Sequence, residues 1–382
     1  MEREADGGLK NGLPQGSVLA PTLFNNYTND QPEYQNTQRS IYADDLCIAT
    51  QSNSFTVIEE RLSQALNILS TYYKKWHLNA NPSKTQVCAF HLNNHQANRK
   101  LNIRWGNDKL KHHPYPVYLG VTLDRTLSFK EHVVKLKSKL ASRNSLLSKL
   151  TTTSWGTDPG TLRQSALSLC YTTAEYCAPV WARSCHAHKV DSVLNNACRI
   201  ITGTLKPTPL PALYRLSGIA PPHIRREVIA KIERYKQMND PRHPLHGHQE
   251  VRRRLKSRKS FITIEGLDPS QAAAYRVERW RETDNQLQNE ALPSPAETLP
   301  NGTNLSRKEW ATLNRARAKV RKTKSNLHRW GLANNPECPC GGEETMNHLL
   351  QECPMGPHCT DRDLKEASED AIQWVHFYRD KL

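Results

Sequence analysis

The spacing of apolar residues in the first third of the chain predicts one long helix. From Phe55 to Trp76, apolar side chains recur at intervals of three and four residues, as they do on one face of an amphipathic helix. Thr56 and Glu59 have the spacing of a capping box at its start. We therefore expect a helix over these residues that packs one face against strands.

Short apolar runs on both sides of this helix predict strands. Residues 39–43 and 46–50 flank Asp44 and Asp45, which predicts a β-hairpin with two adjacent carboxylates at its tip. Residues 85–90 and 117–123 are two further predicted strands. This succession of strands and a helix predicts an α+β fold with a partial antiparallel sheet.

The character of the chain changes after residue 125. Residues 126–238 are predicted to be mostly helical, and the proline-rich, basic segment 239–305 is predicted to be a linker region. The rest of the chain, 306–382, combines a basic helix, a Cys/His segment and a short terminal helix. We therefore expect four parts, with residues 1–125 as the first.

Composition narrows the classes of function. The 382 residues include 53 Lys and Arg against 37 Asp and Glu, a net charge of +16 that attracts polyanions. No apolar run is long enough to cross a membrane, and the ten cysteines are too dispersed for a secreted disulfide framework. We therefore expect an intracellular protein with reduced thiols, in the nucleus or the cytoplasm, and no membrane partner.

The strongest candidate for a functional site is a pair of motifs in this order: Gly12-Leu-Pro-Gln-Gly-Ser17, followed by Tyr42-Ala-Asp-Asp45. Adjacent carboxylates at a tight turn repel each other unless a divalent cation lies beside them. The alternative is a solvated Asp-Asp turn without function. The pair therefore predicts a site for a divalent cation.

A second candidate site is the spacing C-x-C-x₇-H-x₄-C near the end of the chain. Four soft ligands within 16 residues of a reduced chain are typical of a structural Zn²⁺ site; they are Cys338, Cys340, His348 and Cys353. His358 and Cys359 are reserve ligands. The alternative is a set of free thiols and a surface histidine.

The segment just before this site, 307–329, holds nine basic residues against the single acid Glu309. Such a run is either a solvated helix face or a source of phosphate contacts, and we expect it to bind nucleic acid. The candidate contacts are Arg315, Arg317, Lys319, Arg321, Lys322 and Lys324. A second basic run, 252–259, is a weak candidate for a nuclear import signal.

Four motifs together resemble the reverse transcriptases of jockey-like non-LTR retrotransposons. They are Gly12-Leu-Pro-Gln-Gly-Ser-Val-Leu-Ala-Pro-Thr-Leu-Phe-Asn25, Tyr42-Ala-Asp-Asp45, Asn81-Pro-Ser-Lys84 and Tyr118-Leu-Gly-Val121. The resemblance implies RNA-directed DNA synthesis by two Mg²⁺ ions from an RNA template, a DNA primer and deoxynucleoside triphosphates. It also implies a partial palm at 1–125, a thumb and connection at 126–238, and a zinc-bearing, nucleic-acid-binding tail.

The resemblance also implies roles for single residues. Asp44 and Asp45 match the catalytic carboxylates, and Lys84 matches a lysine that protonates the leaving pyrophosphate. Leu119 and Gly120 match the primer grip, although Gly120 in a strand is equally a candidate bulge. The nucleotide- and template-binding positions are Pro14, Gln15, Gly16, Ser17 and Tyr42.

This sequence departs from the family pattern at its start. Only 11 residues precede Gly12, whereas the family's first catalytic aspartate lies several tens of residues upstream of this motif. We therefore expect the C-terminal part of a reverse transcriptase, with little or no polymerase activity alone. The alternatives are a non-catalytic nucleic-acid-binding protein and a degenerate fragment of a transposable element.

Overall fold

The computed structural model describes residue 13 and residues 16–152, 155–248, 260–284 and 289–380. Gly12, Pro14, Gln15 and the basic run 252–259 lie outside these described residues. The chain forms two compact units, Met1–Glu131 and His132–Leu382.

The first unit combines helices with short strands. Its elements are α1 (Ala20–Thr28), β1 (Thr37–Tyr42), β2 (Asp45–Thr50), α2 (Phe55–Lys75), β3 (Gln86–Val87), β4 (Arg104–Trp105), β5 (Asp108–Lys109), β6 (Lys111–His112), β7 (Val117–Tyr118) and β8 (Val121–Thr122). The pairs β1–β2, β4–β5 and β7–β8 are antiparallel, and β3–β6 is parallel. The mixture of helices and small sheets agrees with the expected α+β class. The predicted strands at 85–90 and 117–123 are much shorter than expected, and the second is a hairpin.

Helix α2 supplies one wall of the core of this unit, as its apolar periodicity predicts. Leu66 is buried on α2, and Phe55, Ile58 and Leu62 pack against the same cluster. The cluster is completed by residues from the following strands and loops, which are Val87, Leu101, Ile103 and Leu110. Burial of this apolar face stabilises the helix more than its intrinsic propensity does.

The predicted capping box of α2 is wrong. Ser54 precedes the helix, and no side chain caps its first turn. Glu59 instead accepts hydrogen bonds from the Asn102 N–H at 2.9 Å and from Arg99 Nη2 at 3.2 Å. A tertiary partner therefore takes the carboxylate that the local spacing assigned to a cap.

The second unit is helical over most of its described length. Its helices are α3 (Lys130–Ser148, which begins in the first unit), α4 (Pro159–Ala166), α5 (Thr172–Glu175), α6 (Ala178–Trp181), α7 (His188–Thr202), α8 (Leu210–Ser217), α9 (Pro222–Asn239), α10 (Ala272–Thr283), α11 (Arg307–Arg317), α12 (Lys324–Arg329), α13 (Asp361–Glu366) and α14 (Glu369–Tyr378). A π-helical segment, Leu167–Tyr171, joins α4 to α5, and a second one spans His348–Glu352. The unit buries four tryptophans almost completely, which are Trp181, Trp280, Trp310 and Trp374.

The segment predicted as a linker, 239–305, is partly packed structure. Helix α10 lies within it and buries Trp280, and Leu292 is buried after it. Glu297 accepts hydrogen bonds from Arg276 at 2.7 and 2.8 Å. The described part of 260–305 is therefore a folded portion of the second unit, because it buries Leu267, Trp280 and Leu292.

Among the described helices, none is both long and apolar enough to cross a membrane.

Candidate metal and nucleic-acid sites

The β1–β2 hairpin carries the predicted carboxylate pair. Tyr42 pairs with Asp45, so the turn consists of Ala43 and Asp44, and Asp45 is the first residue of β2. The hairpin tip is therefore shifted by one residue from the predicted Asp44–Asp45 turn. Ala43 has a φ of 52°, a left-handed conformation that costs a residue with a side chain about 1–2 kcal/mol.

Both carboxylates are available to a cation. Asp44 and Asp45 are exposed, and within the part of the chain that the structure describes neither forms a hydrogen bond or an ion pair. The neighbouring Tyr42 is also exposed. Hard carboxylate oxygens are the ligands that Mg²⁺ prefers. The described residues contain no third Asp, Glu, His or Cys placed to complete a three-ligand group with this pair, so the pair fits Mg²⁺ but is only part of a site.

The β7–β8 hairpin lies near Asp45. Burial raises the pKa of Tyr118, and the nearby Cys47 and Asp45 raise it further. Leu119 and Gly120 form the turn of this hairpin, with φ of 43° and 78°. Two consecutive positive φ values are typical of a two-residue hairpin turn, so Gly120 is a turn residue and not a bulge.

Lys84 follows a tight turn on the same unit. Its N–H donates to the carbonyl and to Oδ1 of Asn81, both at 3.2 Å, and its side chain is exposed. Two residues later, Gln86 Oε1 accepts a hydrogen bond from the Val117 N–H at 3.3 Å. The segment after Lys84 is therefore held against the start of β7.

Gly16 and Ser17 precede helix α1. Ser17 Oγ accepts a hydrogen bond from the Leu19 N–H at 3.3 Å, and Gly16 has a φ of 87°. A side chain at Gly16 would meet no atom within 4 Å. Gly16, which is exposed, and Ser17, which is half-buried, therefore form a turn at the start of a helix.

The predicted Cys/His site forms one cluster in the second unit. The ligand atoms of Cys338, Cys340, His348 and Cys353 all lie within 4.8 Å of one another. Cys338 Sγ is 3.7 Å from Cys353 Sγ, and Cys340 Sγ is 3.1 Å from His348 Nε2. Two thiolates that bind one Zn²⁺ at about 2.3 Å in a tetrahedron lie about 3.8 Å apart. The cluster therefore has the donor types and the size of a four-coordinate metal site.

A tight loop and a π-helical turn bring the four side chains together. The Cys338 N–H donates to the Gly342 carbonyl at 2.7 Å, and Gly341 between them has a φ of 94°. A Cβ at Gly342 would lie 3.1 Å from the His348 ring. The glycines therefore allow the loop to fold back and the imidazole to approach closely.

The thiols of this cluster differ in their acidity. Burial raises the pKa of Cys338 to about 11. The Gly342 N–H is the main cause that lowers the pKa of Cys340 to about 7. His348 Nδ1 lies 3.6 Å from a Glu352 carboxylate oxygen, which leaves Nε2 directed at the cluster.

The two reserve ligands lie outside the cluster. His358 Nε2 contacts the Cys353 carbonyl at 2.8 Å. Cys359 is buried, and its pKa is raised to about 12, mainly by burial and then by Asp363 and Asp361. The described residues therefore place Cys338, Cys340, His348 and Cys353 together and neither reserve ligand with them.

The basic segment differs most from its prediction. Arg317 is fully buried and Arg321 is 1% exposed. Arg317 donates to the carbonyls of Asn301, Leu364 and Lys365, and Arg321 donates to the Tyr378 carbonyl at 2.6 Å. These two side chains are used inside the protein, so their expected role as nucleic-acid contacts is wrong.

Other basic residues of this segment hold α11 on the end of α7. Arg307 donates to the carbonyls of Ile200 and Ile201 at 2.7 and 2.8 Å, and Arg315 Nε donates to the Gly203 carbonyl at 2.8 Å. The last carbonyls of a helix lack partners within it, and cations stabilise that end. The arginines therefore complete a helix terminus, a role that a count of charges does not reveal.

Close packing fixes this contact between α11 and α7. A Cβ at Gly203 would lie 2.5 Å from Ala311 Cβ. Trp310 Nε1 and Asn314 Nδ2 donate to the Ile201 and Thr202 carbonyls at 3.0 and 3.1 Å. In the sequence of α11, the arginines are interspersed with the apolar residues Trp310, Leu313 and Ala316. This pattern is the signal that could have indicated a buried basic helix.

The remaining predicted contacts are less buried. Lys319 forms an ion pair with Asp361 at 2.8 Å, while Lys322 is exposed and Lys324 is half-buried. Arg315 is also half-buried. Lys322 and Lys324 are therefore the predicted contacts with the most accessible charge.

Comparison with known proteins finds a family match within the first unit. Residues 6–123 match the family model of the reverse transcriptase (RNA-dependent DNA polymerase). The chain is 28% identical over 150 residues to the RNA-directed DNA polymerase from mobile element jockey of Drosophila melanogaster, covering 36% of this chain and 16% of that protein. It is 26% identical over 208 residues to the probable RNA-directed DNA polymerase from transposon X-element of the same species. This match covers 50% of this chain and 22% of that protein.

A further similarity extends into the second unit. The chain is 23% identical over 379 residues to a Retrovirus-related Pol polyprotein from type-1 retrotransposable element R1 2 of Nasonia vitripennis, covering 90% of this chain and 85% of that protein. No solved structure matches the chain. The chain spans about a fifth of the length of the jockey and X-element relatives. The predicted resemblance is confirmed: residues 6–123, in the N-terminal part of this chain, match the reverse transcriptase family model and are similar to the RNA-directed DNA polymerases of jockey and other non-LTR retrotransposons.

Proposed function

We propose that this chain is the polymerase-derived part of a non-LTR retrotransposon reverse transcriptase, an RNA-directed DNA polymerase. The observation that supports it best is the exposed Asp44–Asp45 pair, without protein partners in the described structure, inside the segment that matches the reverse transcriptase family. Its substrates are deoxynucleoside triphosphates, and its partners are an RNA template and a DNA primer.

The residues of the first unit have distinct roles in this proposal. Asp44 and Asp45 would hold Mg²⁺, and the bound ion would supply the positive charge that activates the primer 3′-hydroxyl and binds the triphosphate. Lys84 donates a proton to the leaving pyrophosphate. The Leu119–Gly120 turn positions the primer end. The turn at Gly16 and Ser17, together with Tyr42, contacts the nucleotide and the template.

The metal-binding step can be tested with Mn²⁺, which replaces Mg²⁺ and is detected by electron paramagnetic resonance. We expect Asp44→Asn/Asp45→Asn to lose Mn²⁺ binding that the parent chain retains. Asp108→Asn, in β5, removes an exposed carboxylate of the same unit and serves as the matched control. Equal Mn²⁺ binding by all three proteins would contradict the proposed metal site.

Primer extension on an RNA template then separates metal binding from catalysis. Because the described residues supply only two carboxylates, we expect the 382-residue chain alone to extend a primer no better than the double variant. Extension that requires Asp44 and Asp45 would contradict this expectation of inactivity and would identify the chain as a minimal polymerase.

The second unit holds Zn²⁺ in this proposal. The three thiols and one imidazole form a closed, soft donor set, and Zn²⁺ in such a site fixes structure instead of doing chemistry. Equilibrium dialysis with zinc is expected to give one tightly bound ion per chain. Cys338→Ser should lose it, whereas Cys359→Ser, outside the cluster, should keep it.

A non-catalytic nucleic-acid-binding protein is the second candidate function. The net charge of +16 and the exposed Lys322 support it. It predicts RNA binding that weakens with salt and survives replacement of Asp44 and Asp45. Lys322→Gln/Lys324→Gln should reduce the salt dependence, whereas Lys365→Gln, exposed on α13, should not. Point variants are required, because removal of residues 305–382 would also remove the partner of α7.

A further inference from the structure

Tyr378, at the end of α14, is held rigidly beside the Cys/His cluster. Its side chain belongs to the same buried core as Cys338 and Cys353, and its ring lies 4.6 Å from that of Trp374 and 4.9 Å from that of Phe377. Its carbonyl accepts the hydrogen bond from Arg321. Backbone and ring are therefore both fixed, which sets the position of the hydroxyl.

The hydroxyl of Tyr378 is buried, and among the described residues it forms no hydrogen bond of ordinary geometry. A Cβ at Gly356 would lie 2.5 Å from this oxygen, so only glycine leaves room for it there. Burying a hydroxyl without a well-formed hydrogen bond lowers the stability of the folded protein, and such groups are rare in native proteins. A tyrosine, rather than a phenylalanine, at this position is unexplained by packing alone.

The groups near this hydroxyl are thiols of the cluster. Burial raises the pKa of Tyr378, and the neighbouring Cys353 and Cys338 raise it further. A thiol is a weak hydrogen-bond acceptor, but a metal-bound thiolate carries negative charge and accepts strongly. The neighbouring Cys353 sulfur therefore becomes a strong acceptor for this hydroxyl only when the cluster binds a metal ion.

We propose that Tyr378 is a positioning residue of the metal site, whose hydroxyl donates a hydrogen bond to the Cys353 thiolate in the metal-bound protein. This inference rests on the proposed Zn²⁺ site. The hydrogen bond orients the metal-bound sulfur towards the ion and offsets part of its charge. Partners of metal ligands typically contribute about 10- to 100-fold to metal affinity. The same contact ties the end of α14 to the metal.

Tyr378→Phe tests the inference, because it removes only the hydroxyl and keeps the ring. Tyr214→Phe is the matched control, since its buried hydroxyl lies at 2.9 Å from Asn195 Oδ1, away from the cluster residues. Zn²⁺ affinity is measured by competition with a chromophoric chelator. We expect about a tenfold loss for Tyr378→Phe and no change for Tyr214→Phe.

Co²⁺ substitution gives a second readout that a general loss of stability would not produce. A hydrogen bond lowers the energy of the thiolate lone pairs, so its loss should shift the thiolate-to-cobalt absorption band to longer wavelength. Gly356→Ala, which pushes the hydroxyl away, should cause a shift in the same direction.

The possible failures are distinguishable. If the parent chain binds neither Zn²⁺ nor Co²⁺, the proposed zinc site is wrong and the inference is wrong with it. If the parent chain binds both ions and Tyr378→Phe has the parent affinity and spectrum, the zinc site stands and the role of Tyr378 is overturned.

Discussion

The carboxylate hairpin of the first unit and the Cys/His cluster of the second are two candidate metal sites, and they differ in how many ligands the protein brings together at each. Asp44 and Asp45 are exposed, accept no hydrogen bond in the described structure and have no third ligand there. Cys338 and Cys353 are buried, and four donors converge on one point. This difference fits the proposed roles, because a site that admits substrate must stay open, whereas a site that only fixes structure can be closed by the chain itself.

The two regions also differ in how they connect to their surroundings. The hairpin β1–β2 is a local element whose strands are joined by a two-residue turn. The cluster shares its core with Leu313 and Ala316 of α11, and α11 in turn completes the carbonyl end of α7. A change at the cluster should therefore spread through the second unit, and a change at the hairpin should stay local.

The largest expected effect is that of metal removal on the second unit. Structural zinc supplies folding free energy, about 10 kcal/mol or more in isolated zinc fingers. Chelation of the zinc-loaded chain should therefore reduce hydrogen-exchange protection at the cluster and also at α7, through α11. Protection of α2, in the first unit, should not change. Full protection of α7 after complete metal removal would mean that α11 docks independently of the cluster.

The Cys/His cluster and the basic segment 307–329 differ in how well their sequences predict the structure. The spacing of Cys338, Cys340, His348 and Cys353 predicted a cluster that the structure forms. Zinc-ligand spacing is local, and the geometry of a single ion limits it tightly. The basic residues of 307–329 are not limited in this way, because an arginine can donate hydrogen bonds to a phosphate or to a carbonyl equally well. Only the tertiary structure places Arg317 in the interior.

The same distinction holds for the fold. Apolar periodicity predicted α2 to within one residue, Phe55–Trp76 against Phe55–Lys75. The strands at 85–90 and 117–123 were predicted too long, because strand length depends on partners that are distant in sequence. The local sequence does not indicate that Glu59 contacts Arg99 and Asn102 instead of capping α2. It also does not indicate that Gly356 packs against Tyr378.

The second largest effect is expected for Arg317→Met. The methionine fills similar space but leaves the carbonyls of Asn301, Leu364 and Lys365 without their donor, which should destabilise the second unit by about 2–4 kcal/mol. Lys322→Met, five residues later and exposed, should change stability by less than about 0.5 kcal/mol. Urea denaturation of both variants measures the difference. Similar midpoints would indicate that water replaces the guanidinium and that this arginine is not structural.

A smaller, pH-dependent effect is expected at Asp124, before α3. Burial raises the pKa of this carboxyl, but hydrogen bonds from Ser128, Thr126 and Phe129 outweigh it and lower the pKa overall. A lowered pKa stabilises the fold at neutral pH, and this contribution is lost as the pH falls through the folded pKa. Asp124→Asn should therefore cost about 1–2 kcal/mol at pH 7 and progressively less below pH 4.

The pH dependence of the stability of Asp124→Asn shows whether the negative charge of Asp124 stabilises the fold or only the shape of its side chain does. A constant difference between Asp124→Asn and the parent chain from pH 7 to pH 3 would contradict the role of the ionised carboxylate. Asp108→Asn, whose exposed carboxylate has no partner in the described structure, is the control and should leave the profile unchanged.

The smallest effect concerns the strained turn beside the carboxylate pair. Asn tolerates the left-handed conformation of Ala43 better than alanine does, so Ala43→Asn should stabilise the hairpin by about 0.5 kcal/mol. Ala49→Asn, at an exposed position of β2 opposite Gln38, should weaken it instead. Hydrogen exchange of the β1 and β2 amides measures both changes. If Ala43→Asn destabilises the hairpin as Ala49→Asn does, the turn is not strained. If it stiffens the hairpin and Mn²⁺ binding is unchanged, metal affinity is limited by the number of ligands and not by motion of the turn.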